Sequence, residues 1–197
     1  MKVHVTRKVV VATLIAGLTL FALAQAKKPQ AFYCKYCGHK ATSVASLTAS
    51  ACIRHPDGPH KGRHVLYEGS EKESYTCKYC GRQASSIASL TSSACIRHPD
   101  GPHKGKHALY EGSAKDAYFC KYCGFKASSI ASLTASACIR HPDGPHKGKH
   151  ALYDGSAKDA YFCKYCGFKA SSISSLTSVA CIRHPNGPHK GKHEPAL

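Results

Sequence analysis

Cys77-Lys78-Tyr79-Cys80-Gly81 decides the fold, because this stretch returns at a constant interval along most of the chain. Its equivalents begin at Cys34, Cys120 and Cys163, in steps of 43 residues. A second stretch, Cys95-Ile96-Arg97-His98-Pro99-Asp100-Gly101-Pro102-His103-Lys104-Gly105-Lys106-His107, repeats with it. All 12 cysteines and 12 of the 14 histidines lie in this pattern. Self-similarity at a fixed period is typical of repeat proteins, so the sequence predicts four tandem modules.

The predicted modules span residues 32–69, 75–112, 118–155 and 161–197, and residues 1–26 lie outside them. That leader has a basic start, an apolar run over 9–24 and an Ala24-Gln25-Ala26 cleavage pattern. This order is typical of a secretory signal peptide, and the run is short for a membrane anchor, which is the alternative. We therefore expect an exported protein, periplasmic or secreted, with no membrane span after cleavage.

The chain is strongly basic, with a formal net charge of +17. Cleavage after residue 26 removes three basic residues and no acidic ones, which leaves +14. Three thiolates and one Zn²⁺ would add −1 per module, so the loaded protein would carry about +10. Such a charge favours acidic partners, such as nucleic acid, anionic glycans or a lipid or cell-wall surface.

The cysteine count favours a metal over disulfides. A module of 43 residues buries too little surface to fold comfortably without a metal, disulfides or a partner. Export favours disulfides, but three cysteines per module cannot all pair within it. Three cysteines and one histidine, in contrast, complete a tetrahedral zinc site. We expect about one Zn²⁺ per module and four per chain.

The predicted ligands are three cysteines and one histidine in each module. Two histidines compete for the fourth place. One follows the third cysteine at Cys-x₂-His spacing, which favours it, and the other lies twelve residues after that cysteine. A third, equivalent to His103, is a weaker candidate. The candidate ligands are Cys34, Cys37, Cys52, His55 and His64; Cys77, Cys80, Cys95, His98 and His107; Cys120, Cys123, Cys138, His141 and His150; and Cys163, Cys166, Cys181, His184 and His193.

The local pattern predicts a small metal-stabilised α+β module with ββα order. In the second module a strand at 75–77 leads into the Cys-x₂-Cys knuckle, where Gly81 permits a left-handed turn, and 82–84 returns as a strand. Ser85 or Ser86 caps a helix of roughly 8–11 residues, with Ile87, Leu90 and Ala94 on one face. Cys95 then lies at the helix end, and residues 108–110 form a closing strand. Short polar linkers predict modules arranged as beads on a string.

The Tyr-x-Cys-x₂-Cys start followed by Leu90 resembles the layout of C₂H₂ zinc fingers. Residues 32–193 also resemble CKYCG…SLT…CxxHPxG…KGxH repeats of exported bacterial proteins, for which no activity is established. The resemblance implies a zinc-finger-like fold. The chain departs from C₂H₂ fingers in its third ligand, a cysteine, and in the longer spacing that precedes it, which weakens the implication of base reading more than that of metal binding.

Sequence-specific DNA reading is not expected, because the helix of the second module carries only small, uncharged and apolar residues. No nucleophile with a base and an orienting group repeats, so we expect no enzyme. We expect instead a structural or interaction module whose basic surfaces bind an acidic partner. Metal sequestration in the cell envelope and non-specific nucleic-acid binding are the alternatives, and Tyr79 is expected to pack beneath the knuckle rather than stack on a ligand.

Overall fold

The computed structural model describes residues 30–197. The predicted signal peptide lies outside these residues. Within 30–197, no helix has the length and apolar character needed to cross a membrane.

Four copies of one unit follow each other, and each consists of a two-stranded antiparallel hairpin and a short helix. The small α+β fold with four ββα modules is therefore confirmed. The elements are β1 (Phe32–Tyr33), β2 (Lys40–Ala41), α1 (Val44–Thr48), β3 (Tyr75–Thr76), β4 (Gln83–Ala84), α2 (Ile87–Ser92), β5 (Tyr118–Phe119), β6 (Lys126–Ala127), α3 (Ile130–Leu133), β7 (Tyr161–Phe162), β8 (Lys169–Ala170) and α4 (Ile173–Ser178).

The knuckle between β3 and β4 turns the chain back on itself. Tyr75 pairs with Ala84, and Thr76 pairs with Gln83. Gly81 has a φ of 73° and its amide donates to the Cys77 carbonyl at 2.9 Å. A glycine takes this left-handed conformation without the steric penalty that a side chain would incur. The left-handed turn predicted at Gly81 is confirmed.

Helix α2 begins where the sequence predicts, because the Ser86 hydroxyl accepts a hydrogen bond from the Ser89 amide. It is shorter than predicted, with six residues. Ser92 and Ser93 are poor helix formers, and Ser93 already has extended backbone. The chain then pairs Ala94 with Lys106 as an isolated bridge. Cys95 therefore lies on an extended segment after the helix rather than on the helix itself.

The end of the module closes onto its beginning. Leu109 forms an antiparallel bridge with Cys77, and the Tyr110 amide donates to the Thr76 carbonyl at 2.8 Å. This confirms the predicted closing strand as a short extended segment. The small core between hairpin, helix and closing segment contains Cys77, Leu90 and Cys95, each fully buried.

The modules pack against one another, so the expected arrangement as beads on a string is wrong. The Arg54 side chain donates to the Ala88 carbonyl at 2.8 Å and to the Thr91 hydroxyl at 2.9 Å, which joins the first module to helix α2. Tyr67, at the end of the first module, belongs to the buried core cluster of the second. The short polar linker predicted separate modules, but Tyr67, which precedes the linker, supplies apolar area to the next module.

Candidate metal centres

Each module brings three cysteines and one histidine together in its core. Within each group, one potential ligand atom per residue lies within 4.8 Å of the other three. The groups are Cys34, Cys37, Cys52 and His64; Cys77, Cys80, Cys95 and His107; Cys120, Cys123, Cys138 and His150; and Cys163, Cys166, Cys181 and His193.

The sulfur positions match a tetrahedral metal site. The Sγ atoms of Cys77 and Cys95 are 3.9 Å apart, and those of Cys34 and Cys52 are 3.8 Å apart. Zn–S bonds of about 2.3 Å at a tetrahedral angle would separate two sulfurs by about 3.8 Å. All 12 cysteines have free thiols, as the metal hypothesis requires.

The knuckle places the first two sulfurs of the second module. Cys77 directly follows β3, and Cys80 lies within the turn. The Tyr79 amide donates to the Cys77 sulfur at 3.4 Å. Amide hydrogen bonds of this kind stabilise a thiolate, which is the form that binds a metal. The Cys-x₂-Cys spacing thus determines both the positions of two ligands and the donors that support them.

The third cysteine and the histidine meet because the long loop between them is pinned at its base. The Cys95 amide donates to the Gly105 carbonyl at 2.7 Å, and the His103 amide donates to the Cys95 carbonyl at 2.9 Å. The chain therefore returns beside the hairpin just before His107. The His107 Nδ1 atom lies 3.3 Å from the Cys80 Sγ atom, and the ring is buried. This geometry makes Nδ1 the ligand atom of the histidine.

The structure brings His107, rather than the preferred His98, to the thiols. His55, His98, His141 and His184 lie outside the four groups. His98 is instead held within the loop: its Nδ1 accepts from the Asp100 amide at 3.3 Å, and its ring packs edge-on against Tyr79 at 5.2 Å. Gly105 lies directly against the ring, and a side chain there would clash with it. The Cys-x₂-His spacing was misleading because Cys95 does not lie on a helix.

Tyr79 packs against the core of its module, as its place in the knuckle predicts. It is half-buried, and burial raises the pKa of its hydroxyl. His103 and its equivalents are exposed and adopt a left-handed backbone conformation, with φ values of 60–62°. They contribute their amides to the loop and no side chain to the metal group.

Without a metal, the third thiol of the second, third and fourth modules would hold its proton at neutral pH. Burial raises the pKa of Cys95 to about 12; the Arg97 amide opposes this increase, and the charge of Cys77 adds to it. Burial likewise raises the pKa of Cys138 to about 12 and that of Cys181 to about 11. Burial, and then the charge of Arg82, lowers the pKa of His107, so its ring stays neutral and keeps a lone pair. Metal binding would therefore release protons.

The donor set fits Zn²⁺ and a structural role. Three thiolates and one imidazole form one of the standard closed zinc sites, which leave no coordination position for a substrate. In every group the third cysteine is completely buried. Each module can hold one metal ion, which corresponds to about one Zn²⁺ per module and four per chain.

An aromatic or planar residue covers the metal-facing histidine, and sequence reasoning missed this role. The ring of Phe125 stacks on His150 with centroids 4.7 Å apart, and Phe168 stacks on His193 at the same distance. In the first module His39 stacks on His64 at 4.6 Å. Arg82 occupies the equivalent position in the second module. The sequence contains a pattern that indicates this role: the residue after the knuckle glycine differs between copies but always has a planar side-chain group.

Together, the four Cys₃His groups and the ββα units define tandem zinc-finger-like repeats. Comparison with protein-family models, curated proteins and solved structures finds no match to this chain.

Proposed function

We propose that this chain is an exported zinc-binding repeat protein with a structural and interaction role, which binds an acidic partner through a repeated basic surface. Closed Cys₃His groups support the structural role, because they bind a metal without leaving a position for chemistry. The proposal therefore includes no enzymatic activity. The leader pattern over residues 1–26 and the resemblance to repeats of exported bacterial proteins support export.

One observation supports binding of an acidic partner: most basic side chains of residues 30–197 have no acidic side chain beside them. Among residues 30–197, only Lys35 and Lys164 pair with an acidic side chain, Glu111 and Glu194 respectively. The other ion pairs in this range join a histidine to an aspartate. Exposed cations without an acidic partner in the protein are free to contact anions of another molecule.

The loop between the third cysteine and the metal-facing histidine presents the clearest cationic site. Lys104 and its preceding histidine, His103, are both exposed. The loop is fixed by a hydrogen bond from the Lys104 amide to the Gly101 carbonyl at 3.1 Å. A loop already held in one conformation loses little entropy on binding. The same exposed lysine recurs as Lys61, Lys147 and Lys190, so four weak contacts can act together.

Helix α2 of the second module has no side chains suited to sequence-specific recognition of nucleic acid. Its exposed residues are alanines and serines, and Ala88 accepts the hydrogen bond from Arg54 of the preceding module. Nucleic acid would bind, on this proposal, as one polyanion among several. The buried sulfurs also favour a structural metal over a readily exchanged one, and thus over metal buffering.

The test is binding of the zinc-loaded chain to a sulfated glycan and to mixed-sequence duplex DNA over a salt series. We expect binding to both, with affinity falling as salt rises. Replacement of Lys61, Lys104 and Lys147 by alanine should weaken binding and flatten the salt dependence. The matched control replaces Lys40, Lys126 and Lys169, three exposed lysines of the hairpins. Absence of binding at low salt, or equal loss in both triple variants, would contradict the proposed surface.

A further inference from the structure

The contact between neighbouring modules is built the same way three times. In the second junction the Arg97 side chain donates to the Ala131 carbonyl and to the Thr134 hydroxyl, both at 2.9 Å. In the third, Arg140 donates to the Ser174 carbonyl at 2.7 Å and to the Thr177 hydroxyl at 3.2 Å. One face of each module thus donates from an arginine, and the opposite face of the next accepts on its helix.

The knuckle glycine lies on the donating face. A Cβ atom on Gly81 would lie 2.7 Å from the Ala131 Cα atom, which is too close for any side chain to fit there. Gly124 approaches Ser174 in the same way. The junction therefore depends on a glycine that lets two backbones touch and on an arginine that links them.

Among residues 30–197, the two ends of the array carry halves of this junction that no other module covers. At the tail, Gly167 has the same φ of 73°, and within residues 30–197 no atom lies within 4 Å of a Cβ placed there. Arg183 is exposed, whereas its equivalents are half-buried. At the head, Val44 is 40% exposed, whereas its equivalent Ile87 is 3% exposed.

The helix at the head also has the hydrogen-bond geometry with which the other helices accept an arginine at the internal junctions. The Thr48 hydroxyl donates to the Val44 carbonyl at 3.0 Å, as the Thr91 hydroxyl donates to the Ile87 carbonyl at 2.9 Å. The helix caps Ser43 and Ser86 have the same φ of −148°. Thr48 and Ala45 are thus placed to receive an arginine as Thr91 and Ala88 do.

We propose that the chain associates head to tail with further copies of itself, through the Gly167 and Arg183 face of one copy and the Val44, Ala45 and Thr48 face of the next. Such a contact joins two different surfaces, so it is not completed in a two-fold dimer and can continue from chain to chain. This self-association is independent of the acidic partner proposed above.

The contact between chains is weaker than the contact within a chain. Internal junctions have a linker, which supplies an effective concentration of about millimolar. They also have the tyrosine exemplified by Tyr67, whereas the last module has Ala196 at that position. Repulsion between basic chains opposes association further, and salt screens this repulsion. Association is therefore expected at high protein concentration and physiological or higher salt.

The experiment is sedimentation velocity of the full, zinc-loaded chain over a wide concentration range. The weight-average mass should rise steadily past that of a dimer without a plateau. Val44→Asp blocks the head, because it places a charge where the next copy would bury an apolar side chain. Arg183→Glu blocks the tail, because it removes the hydrogen-bond donor. Each should lower the association constant by about 10-fold or more. An acidic residue is favourable in the first turn of a helix, so Val44→Asp should keep the fold.

Mixing the two blocked variants gives the decisive result. The head-blocked chain keeps a working tail and the tail-blocked chain keeps a working head, so the mixture should form 1:1 dimers and nothing larger. Ser70→Asp and Lys190→Glu change the same charges at exposed positions that belong to neither face, and both variants should associate like the parent chain. A parent chain that stays monomeric, blocked variants that still associate, or a mixture without dimers would overturn the proposal.

Discussion

The first and second modules have the same fold but not the same core. Val44 and Ile87 both begin the helix of their module, yet one is largely exposed and the other is buried. Tyr33 and Tyr67 of the first module pack with the core cluster of the second, while the described residues place no module before the first. The difference shows that each helix completes its burial on the preceding module. Stability in such arrays comes from each module and from each contact between neighbours.

Loss of a metal ligand should have the largest effect, and it should differ between the middle and the end of the array. Cys95→Ser removes one thiolate of the second module, where structural zinc supplies about 10–16 kcal/mol in comparable peptides. We expect that module to unfold and both its neighbours to lose hydrogen-exchange protection. Cys181→Ser, in the last module, should lower protection only there and in the third module. Loss confined to the altered module in both variants would contradict the coupling.

The second largest effect is expected from truncating the first residue of the helix, and its stability cost should differ between the first and second modules. Ile87→Ala should cost about 2–4 kcal/mol, because it leaves a cavity between modules. Val44→Ala should cost less than about 1 kcal/mol, because that side chain is largely exposed. Thermal unfolding of the zinc-loaded protein measures both costs. Ile87→Val, expected to cost about 1 kcal/mol, corrects for the larger size of isoleucine relative to valine. Equal costs for the two alanine variants would show that the neighbour does not cover Ile87.

Comparing alanine variants of Gly81 and Gly167 measures the backbone contact between neighbouring modules. Gly81→Ala and Gly167→Ala both place a side chain in a left-handed conformation, which costs about 1–2 kcal/mol. Only Gly81 also faces the backbone of the next module. Gly81→Ala should therefore cost about 1–3 kcal/mol more, in the range typical of overpacking. If both variants lose the same stability by thermal unfolding, the modules do not touch at this point.

The smallest expected effect is that of the arginine link. Arg97→Ala should cost about 1–2 kcal/mol, since its two hydrogen bonds involve a charged donor in a half-buried position. Arg183→Ala should leave the unfolding of the monomer unchanged, and a comparable cost at dilute concentration would show that these arginines act within their own modules.

The sequence alone predicted what depends on local spacing. The Cys-x₂-Cys knuckle, the left-handed Gly81 and the Ser86 cap each follow from residues within one turn of the chain. The choice of His107 does not, because it depends on pairing between Cys95 and Gly105 across a loop. The contacts between modules could not be predicted from the sequence either. In the sequence Arg97 is an ordinary cation and Gly81 an ordinary turn residue, and only the folded structure places the next module against them.

The most direct test of the account is zinc content per chain after dialysis against a competing chelator, measured for His107→Ala and His98→Ala. The structure places His107 with three thiols and holds His98 in the loop by Tyr79 and Asp100. We predict four zinc ions per chain for the parent protein and for His98→Ala, and three for His107→Ala. Retention of all four in His107→Ala with loss of one in His98→Ala, or fewer than two in the parent protein, would contradict it.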